Sequence, residues 1–185
     1  MQKNKKLYVA YGSNLNLRQM AMRCPNANLL GTGEIDGYEL QFKGQPHGAF
    51  ATIAPKEGAS VPVAVWEIGQ GDEKALDIYE GVSNGHYYKQ DIPVQMGDRT
   101  VSAIVYIMNP KMTFGIPTQR YYNAVLEGYE NCELDPRILN EAVDKSIAAY
   151  RELEQQRRVF QASRFFDDIG DVCDETLYMD EQMHF

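Results

Sequence analysis

Two stretches of the chain carry residue types that can bind an anion or move a proton. The first is YGSNL at residues 11–15, where an apolar, strand-like run changes abruptly into Gly-Ser-Asn and a helix-like stretch follows. Such a turn can be a plain connection, can present Ser13 as a nucleophile, or can aim backbone N–H groups at an anion. The second stretch is LDIYEGV at residues 76–82, which contains Glu80.

Glu80 lies where a carboxylate is electrostatically disfavoured. An acidic start and the following Gly81 predict a helix over about 72–80, so Glu80 falls in its last turn. The negative end of the helix dipole disfavours an acid there by about 0.3 to 1 kcal/mol. Leu76, one turn earlier, places Glu80 beside the apolar face. Both effects predict a raised pKa, which is typical of proton-transfer groups; a tolerated surface glutamate is the alternative.

Other chemistries find little support in the motifs. GTGEIDG at residues 31–37 resembles a dinucleotide fingerprint but has one residue too many before the last glycine, and no βαβ unit surrounds it. The serine of A-Y-G-S-N does not fit the G-x-S-x-G elbow, and no G-x-x-x-x-G-K-[ST] loop occurs. The spacing of the cysteines and histidines along the chain fits neither a metal site nor a disulfide framework. These residues are Cys24, Cys132, Cys173, His47, His86 and His184. We therefore expect no metal and no cofactor.

The composition predicts an ordinary globular protein. The chain has 185 residues, of which 44% are hydrophobic, and its formal net charge is −8. These values favour one domain, or one domain with an appendage. They argue against nucleic-acid binding because basic residues cluster only in KNKK at 3–6. The apolar runs, such as VPVAVW at 61–66, are too short to span a bilayer. We expect a cytoplasmic protein that does not bind membranes.

The periodicity predicts an α+β protein. Strand-like runs rich in β-branched and aromatic residues occur at 7–12, 38–44, 49–55, 61–68, 86–96 and 100–108. Helical patterns cover a short stretch before Pro25, then about 72–80, 118–130 and 136–156. Because most strands follow one another directly, we expect a small mixed β-barrel of about six largely antiparallel strands, flanked by helices.

The C-terminal residues differ in composition from the rest of the chain. Residues 157–185 carry 3 basic and 7 acidic residues, which is half of the net charge. The segment also contains apolar residues, namely Phe160, Phe165, Phe166, Leu177, Tyr178 and Phe185. We expect a domain at 1–156 and an acidic, aromatic C-terminal extension at 157–185 that packs on the domain or on a partner subunit.

Three motifs together resemble a known family. YGSNL at 11–15, ATI at 51–53, and LDIYEGV at 76–82 with Tyr87 shortly after are similar to the γ-glutamylcyclotransferases in the broad sense, including γ-glutamylamine cyclotransferase-like and AIG2-like proteins. The similarity covers roughly residues 7–130. It implies a γ-glutamylcyclotransferase-like barrel and a small γ-glutamyl substrate, with a homodimer as a possible assembly.

The resemblance also implies roles for individual residues. Glu80 would be the catalytic acid/base, and the YGSNL loop would hold the substrate through its main-chain N–H groups. The loop residues carried over by motif are Tyr11, Gly12, Ser13, Asn14 and Leu15. Tyr87 matches a tyrosine that lines the pocket, and Tyr121 is similar in position to another.

The implied reaction needs no enzyme nucleophile. The α-amine of the substrate attacks its own γ-carbonyl, forms 5-oxoproline and releases the amine that was attached. An α-ammonium of pKa about 7.7 to 8.0 must lose a proton to a carboxylate of ordinary pKa about 4.3, a gap of about 5 kcal/mol that a raised pKa narrows. The alternatives are a non-catalytic binding or regulatory domain of the same fold and the tailoring of a γ-glutamyl-protected metabolite.

Overall fold

The computed structural model describes the backbone of residues 5–181 and the side chains of residues 5–164. The strands, named β1 to β5 in chain order, are Lys6–Ala10, Asn28–Gln45, Gly48–Ile68, Tyr87–Met96 and Arg99–Met108. The helices, named α1 to α4, are Leu17–Arg23, Gln70–Tyr79, Gln119–Asn131 and Pro136–Glu181. Short 3₁₀ turns cover Ser13–Leu15 and Val82–Asn84.

The strands close into a barrel in the order β1-β3-β2-β4-β5. The long β2–β3 hairpin, the β4–β5 hairpin and the β1–β3 pair are antiparallel. β2 meets β4 in antiparallel fashion at Glu34 and Gln95, and β1 meets β5 in parallel fashion at Tyr8 and Ile104. The expected small, mixed and largely antiparallel barrel is therefore confirmed.

The expected number of about six strands was wrong, since the described residues form five. The runs at 49–55 and 61–68 belong to one strand, β3, because the Lys56-Glu57-Gly58-Ala59 segment between them does not reverse the chain, although Gly58 takes a left-handed φ of 73°. These residues sit at a register shift, where the partner of Asp36 is Ser60 and the partner of Tyr38 is Pro55. A bulge of this kind interrupts the alternation of apolar and polar residues without reversing the chain. The interruption therefore has the sequence pattern of a turn between two strands.

The helices match their expected positions to within two residues, apart from the end of α4. That helix starts at Pro136, where the Asp135 carboxylate accepts from the Arg137 amide at 2.9 Å, as a capping residue does. It continues to Glu181 and does not stop at 156. None of the helices in residues 5–181 is both long and apolar enough to cross a membrane.

The chain divides into two compact units, residues 1–147 and residues 148–185. In the second unit an Arg157–Glu154 ion pair at 3.2 Å joins side chains of the same helix. The expected extension at 157–185 and its packing stay a prediction. Several residues named for it or for metal binding have side chains outside the described range, namely Phe165, Phe166, Cys173, Leu177, Tyr178, His184 and Phe185.

A close contact with α3 holds the turn that follows β1. Gly128 of α3 is buried, and a Cβ atom there would lie 2.6 Å from the Leu15 Cβ and 2.7 Å from the Asn16 amide nitrogen. The same helix accepts a hydrogen bond from the Asn16 side chain at the Ala124 carbonyl, at 3.3 Å. The missing side chain at Gly128 therefore lets the turn and the helix backbone approach each other.

We predict that Gly128→Ala lowers the free energy of unfolding by about 1–3 kcal/mol, because the added methyl group overlaps the turn. Urea denaturation followed by circular dichroism measures this change. The matched control is Gly71→Ala in α2, where no atom lies within 4 Å of the added Cβ. That variant should be neutral or more stable by about 0.5–1 kcal/mol. Equal stability changes for the two variants would contradict the packing argument.

Candidate active site

A cavity of about 460 Å³ lies between the turn after β1, the end of α2 and the neighbouring strands. Its lining contains all but one of the site residues expected from the sequence, namely Tyr11, Gly12, Ser13, Asn14, Glu80, Tyr87 and Tyr121. Further lining residues are Tyr8, Val9, Gly44, Gln45, Phe50, Ala51, Tyr79, His86, Tyr106, Met108 and Met112. Tertiary structure thus gathers segments that are up to about a hundred residues apart.

Leu15 is the expected site residue that does not line the cavity. Its side chain is fully buried, and its amide donates to the Gly12 carbonyl at 2.9 Å. The next amide, of Asn16, donates to the Ser13 carbonyl at 3.2 Å. The turn therefore uses these two amides for itself, and its residues beside the cavity are Gly12, Ser13 and Asn14. The main chain of Ser13 also hydrogen-bonds to the Tyr121 hydroxyl.

A helix begins after the turn and not inside it. The Asn16 side chain accepts from the Gln19 amide at 3.1 Å and caps α1. The Asn14 side chain instead donates to Glu80 Oε1 in the cavity. The YGSNL loop is thus a 3₁₀ turn, and its cavity-facing groups are distinct from those that start the helix.

Glu80 ends α2 as the sequence predicts. Its amide closes the last turn by donating to the Leu76 carbonyl at 2.8 Å, and Gly81 follows with a φ of 63°, the left-handed conformation that suits glycine. The Glu80 carboxyl lines the cavity. Burial raises the pKa of this carboxyl to about 7, although the Arg23 charge and a hydrogen bond from Asn14 act in the opposite direction.

Asn14 connects the carboxylate to a buried polar network. Its Nδ2 donates to Glu80 Oε1 at 3.2 Å and to the Tyr8 hydroxyl at 2.8 Å. Its Oδ1 accepts from the Arg23 guanidinium. Arg23 thereby sets the orientation of the amide, because a cation requires the oxygen on its side and leaves the nitrogen for Glu80.

Arg23 is itself held in place by three neighbours. It donates to Ser13 Oγ at 3.2 Å and to Gln19 Oε1 at 2.5 Å. Its guanidinium carbon lies 3.8 Å from the centre of the Tyr79 ring, within the range of a cation–π contact. The guanidinium therefore remains close to Glu80 without forming a direct ion pair with it.

Ser13 has no general base among its described hydrogen-bond partners. Its Oγ accepts from Arg23 and lies 3.4 Å from the Tyr79 hydroxyl. A guanidinium and a phenol do not remove a proton from a serine at neutral pH. The geometry therefore favours the backbone of this turn over the Ser13 hydroxyl as its functional part.

Two cavity tyrosines are bound to the same point of β3. The Tyr87 hydroxyl donates to the Ala51 carbonyl at 2.8 Å, and the Ala51 amide donates to the Tyr121 hydroxyl at 3.2 Å. The Tyr11 hydroxyl donates to the Tyr106 carbonyl at 2.5 Å. Each ring is thus fixed by a main-chain group, so the wall is preformed.

An ion-pair network fixes α2 and hence the position of Glu80. Glu73 pairs with Lys6 and with Lys89, each at 2.9 Å, and Asp77 pairs with Lys89 at 3.0 Å. Asp77 also accepts from the Tyr106 hydroxyl at 2.7 Å. Partly exposed pairs of this kind contribute about 0.2–1 kcal/mol each, so their main effect is to orient the helix on the barrel.

Comparison with known proteins finds sequence relatives for part of the chain. The AIG2-like family model matches residues 60–137, which include Glu80, Tyr87 and Tyr121. A bovine γ-glutamylcyclotransferase is 33% identical over 96 residues, which are 48% of this chain and 50% of the bovine protein. The chain therefore spans about half the length of the curated relatives it matches.

Solved structures extend the likeness to most of the chain. A γ-glutamyl cyclotransferase structure aligns with a TM-score of 0.68 and 24% identity over 79% of this chain and 88% of the other. A human protein described as uncharacterized aligns with a TM-score of 0.67 and 26% identity over 80% and 89%. The fold is that of the γ-glutamylcyclotransferases. The resemblance carried by the motifs is thereby confirmed.

Sequence reasoning missed several cavity groups of this γ-glutamylcyclotransferase fold. Arg23 shares a helix face with Gln19, four residues earlier, and that polar pair beside the loop was the available indication. Tyr8 and Tyr106 resemble ordinary strand residues in the sequence.

In the described part of the chain, no group of three or more His, Cys, Asp or Glu residues is placed to hold a metal ion.

We predict that Arg23→Gln raises the pKa of Glu80 above its value of about 7. Removing the guanidinium removes a charge that favours the carboxylate and also frees the Asn14 amide to reverse. The carboxyl chemical shift of Glu80, followed by NMR from pH 4 to 9, measures the change. Arg18→Gln, on the exposed face of the same helix, is the control and should leave the pKa of Glu80 unchanged. A pKa that stays the same or falls in Arg23→Gln would contradict the network.

Proposed function

We propose that this chain is a γ-glutamylcyclotransferase-like enzyme that releases 5-oxoproline from a γ-glutamyl amine or γ-glutamyl peptide. One observation carries the proposal: the Glu80 carboxyl, whose pKa is raised to about 7, shares a cavity with Gly12, Ser13 and Asn14 of the turn. A group of that pKa both accepts and returns a proton near neutral pH. The curated relatives named γ-glutamylcyclotransferase support the reaction class.

Glu80 acts in this proposal as the base for the substrate α-ammonium. The ordinary gap between the two pKa values is about 5 kcal/mol. With the pKa of Glu80 at about 7, the gap shrinks to about 1 kcal/mol. Proton transfer then adds little to the barrier of cyclisation, and the same carboxyl is ready to return the proton.

The turn amides bind the negative charges of the substrate in this proposal. Gly12, Ser13 and Asn14 line the cavity, and backbone N–H groups carry partial positive charge. They are suited to the α-carboxylate, the oxyanion that forms on the γ-carbonyl, or both. Leu15 plays no part in this step because its amide is used inside the turn.

The bond changes balance without water or a cofactor. The α-nitrogen forms a bond to the γ-carbonyl carbon, and the bond from that carbon to the leaving nitrogen breaks. The α-ammonium loses two protons to become the lactam N–H, and the leaving nitrogen gains two to become an ammonium ion. Glu80 carries protons between these nitrogens, which the cyclic transition state brings close together.

The aromatic wall favours the curled substrate that this step requires. Tyr87 and Tyr121 are fixed on the Ala51 backbone, so the space between them and the turn does not depend on the substrate for its shape. Intramolecular attack reaches effective molarities of about 10⁵–10⁸ M when the reacting atoms are well oriented. A preformed wall supplies that orientation at low entropic cost.

We predict that Glu80→Gln lowers the rate of 5-oxoproline release by about 10²–10⁴-fold, because an amide neither accepts nor returns the proton. Incubation with γ-glutamyl amines, γ-glutamyl peptides and glutathione, with mass spectrometry for 5-oxoproline, measures the rate. Circular dichroism should show an intact fold.

Glu127→Gln, an exposed position on α3, is the control for this substitution and should behave as wild type. Near wild-type turnover by Glu80→Gln would remove Glu80 from the mechanism. If the wild-type protein binds these compounds in calorimetry but releases no 5-oxoproline, the chain is a binding domain of the same fold.

We predict that Ser13→Ala keeps activity within about tenfold of wild type, since main-chain groups of the turn carry the anion-binding task and a lost neutral hydrogen bond is worth about 1 kcal/mol. The same 5-oxoproline assay measures the effect. Complete loss of activity in a folded Ser13→Ala protein would instead support the serine as a nucleophile.

A further inference from the structure

The cavity continues beyond the groups that the proposed reaction uses. Past Ala51 it is bounded by a second surface, which we call the outer wall, made of Gly44, Gln45, Phe50, Met108 and Met112. These residues come from the tip of the β2–β3 hairpin, the end of β5 and the loop between β5 and α3. A cavity of about 460 Å³ thus has room next to the catalytic groups for a second part of the substrate.

The outer wall is held by main-chain hydrogen bonds between the loop and the hairpin. The Gly44 amide donates to the Thr113 carbonyl at 2.9 Å, and the Gly115 amide donates to the Phe42 carbonyl at 3.2 Å. The Ile116 amide donates to the Pro46 carbonyl at 2.9 Å. This side of the cavity is therefore preformed, like the tyrosine wall.

The register of the β2–β3 hairpin gives the direction from the catalytic groups to the outer wall. Ala51 pairs with Phe42 across the hairpin, and its main chain hydrogen-bonds to the hydroxyls of Tyr87 and Tyr121. It also lies next to the turn, because a Cβ built on Gly12 would be 3.2 Å from the Ala51 Cβ. The next residue toward the hairpin tip is Phe50, whose ring lies 4.9 Å from that of Tyr121, edge to face. A chain that starts at the turn amides and leaves past Ala51 therefore reaches Phe50.

The outer wall consists mainly of aromatic and thioether side chains. Phe50, Met108 and Met112 offer rings, methylenes and sulfur, and Gln45 is neutral. Among the lining residues that the structure describes, Glu80 is the one carboxylic acid, His86 is the one imidazole, and none is a lysine or arginine. Lys43, next to Gly44, turns to the Phe114 ring at 4.9 Å and is not part of the lining.

A carboxylate on the leaving group would fit this surface poorly. It would lose hydration against Phe50 and Met112 without a lysine or arginine in the lining to replace it, and it would face repulsion from the Glu80 carboxylate. An alkyl or aryl group loses no hydrogen bonds there and gains apolar contact, and methionine side chains adapt to its shape.

We propose that the outer wall binds the leaving amine and that this amine is apolar and carries no carboxylate, as in a γ-glutamyl alkylamine or arylalkylamine. The inference rests on the proposed cyclotransferase activity, whose bond changes stay the same. It adds the substrate class: amides of an apolar amine in preference to γ-glutamyl amino acids and glutathione.

The test compares γ-glutamyl-n-butylamide with γ-glutamylglycine and glutathione in the 5-oxoproline assay. We expect kcat/KM for the butylamide to exceed that for γ-glutamylglycine by tenfold or more. Met112→Lys places a cation on the outer wall and should shift this ratio toward γ-glutamylglycine by tenfold or more. Met22→Lys, at a methionine that is 71% exposed and does not line the cavity, is the matched control and should leave the ratio unchanged.

A second variant covers the case in which Met112→Lys does not fold. Gln45→Lys places a cation on the same wall from an exposed position and should shift the ratio in the same direction. Circular dichroism shows which variants are folded.

The outcomes separate this inference from the proposed function. Release of 5-oxoproline with equal or higher kcat/KM for γ-glutamylglycine or glutathione would overturn the apolar subsite and leave the cyclotransferase activity standing. An unchanged ratio in a folded lysine variant of the outer wall would overturn the assignment of that wall. Absence of 5-oxoproline from every substrate would overturn the proposed function itself.

Discussion

Desolvation of the Glu80 carboxyl is the constraint on which the rest of this site depends. A carboxyl that paired directly with a guanidinium would have a pKa well below its ordinary value. Here the Asn14 amide stands between Glu80 and Arg23, so the cation orients the network while burial still raises the pKa to about 7. A small change in which residue touches the carboxyl would therefore change the chemistry available to the cavity.

The barrel and its helices each hold one part of that arrangement. The ion pairs of Glu73 and Asp77 orient α2 on the strands, so that the helix ends with Glu80 at the cavity. Gly128 lets α3 approach the turn that carries Asn14. Ala51 of β3 binds the hydroxyls of Tyr87 and Tyr121. The site is thus built on rigid elements, which suits a reaction whose rate depends on the shape imposed on the substrate.

Local patterns predicted most elements well and failed where a strand is irregular. The runs at 86–96 and 100–108 became β4 and β5, which a two-residue Gly97-Asp98 connection joins between Met96 and Arg99. The same reasoning failed for the β2–β3 hairpin, because its bulge places polar residues and a glycine inside a strand. β2 also begins at Asn28, ten residues before its expected start, in a stretch whose Leu29 and Leu30 are both partly exposed and do not alternate. A bulge stabilised by a distant part of the fold leaves no periodic trace in the sequence.

The sequence by itself determined the strand and helix types, the end of α2 at Glu80 and Gly81, and the motifs that mark the fold. Those features depend on neighbours within a few residues, whose interactions are repeated in every protein. Tertiary structure alone decided that Arg23 reaches Glu80 through Asn14, that Leu15 turns away from the cavity, and that Phe50 and Met112 form its far side. Those contacts join residues that are distant along the chain, and burial, which sets the pKa of Glu80, exists only once the chain has folded.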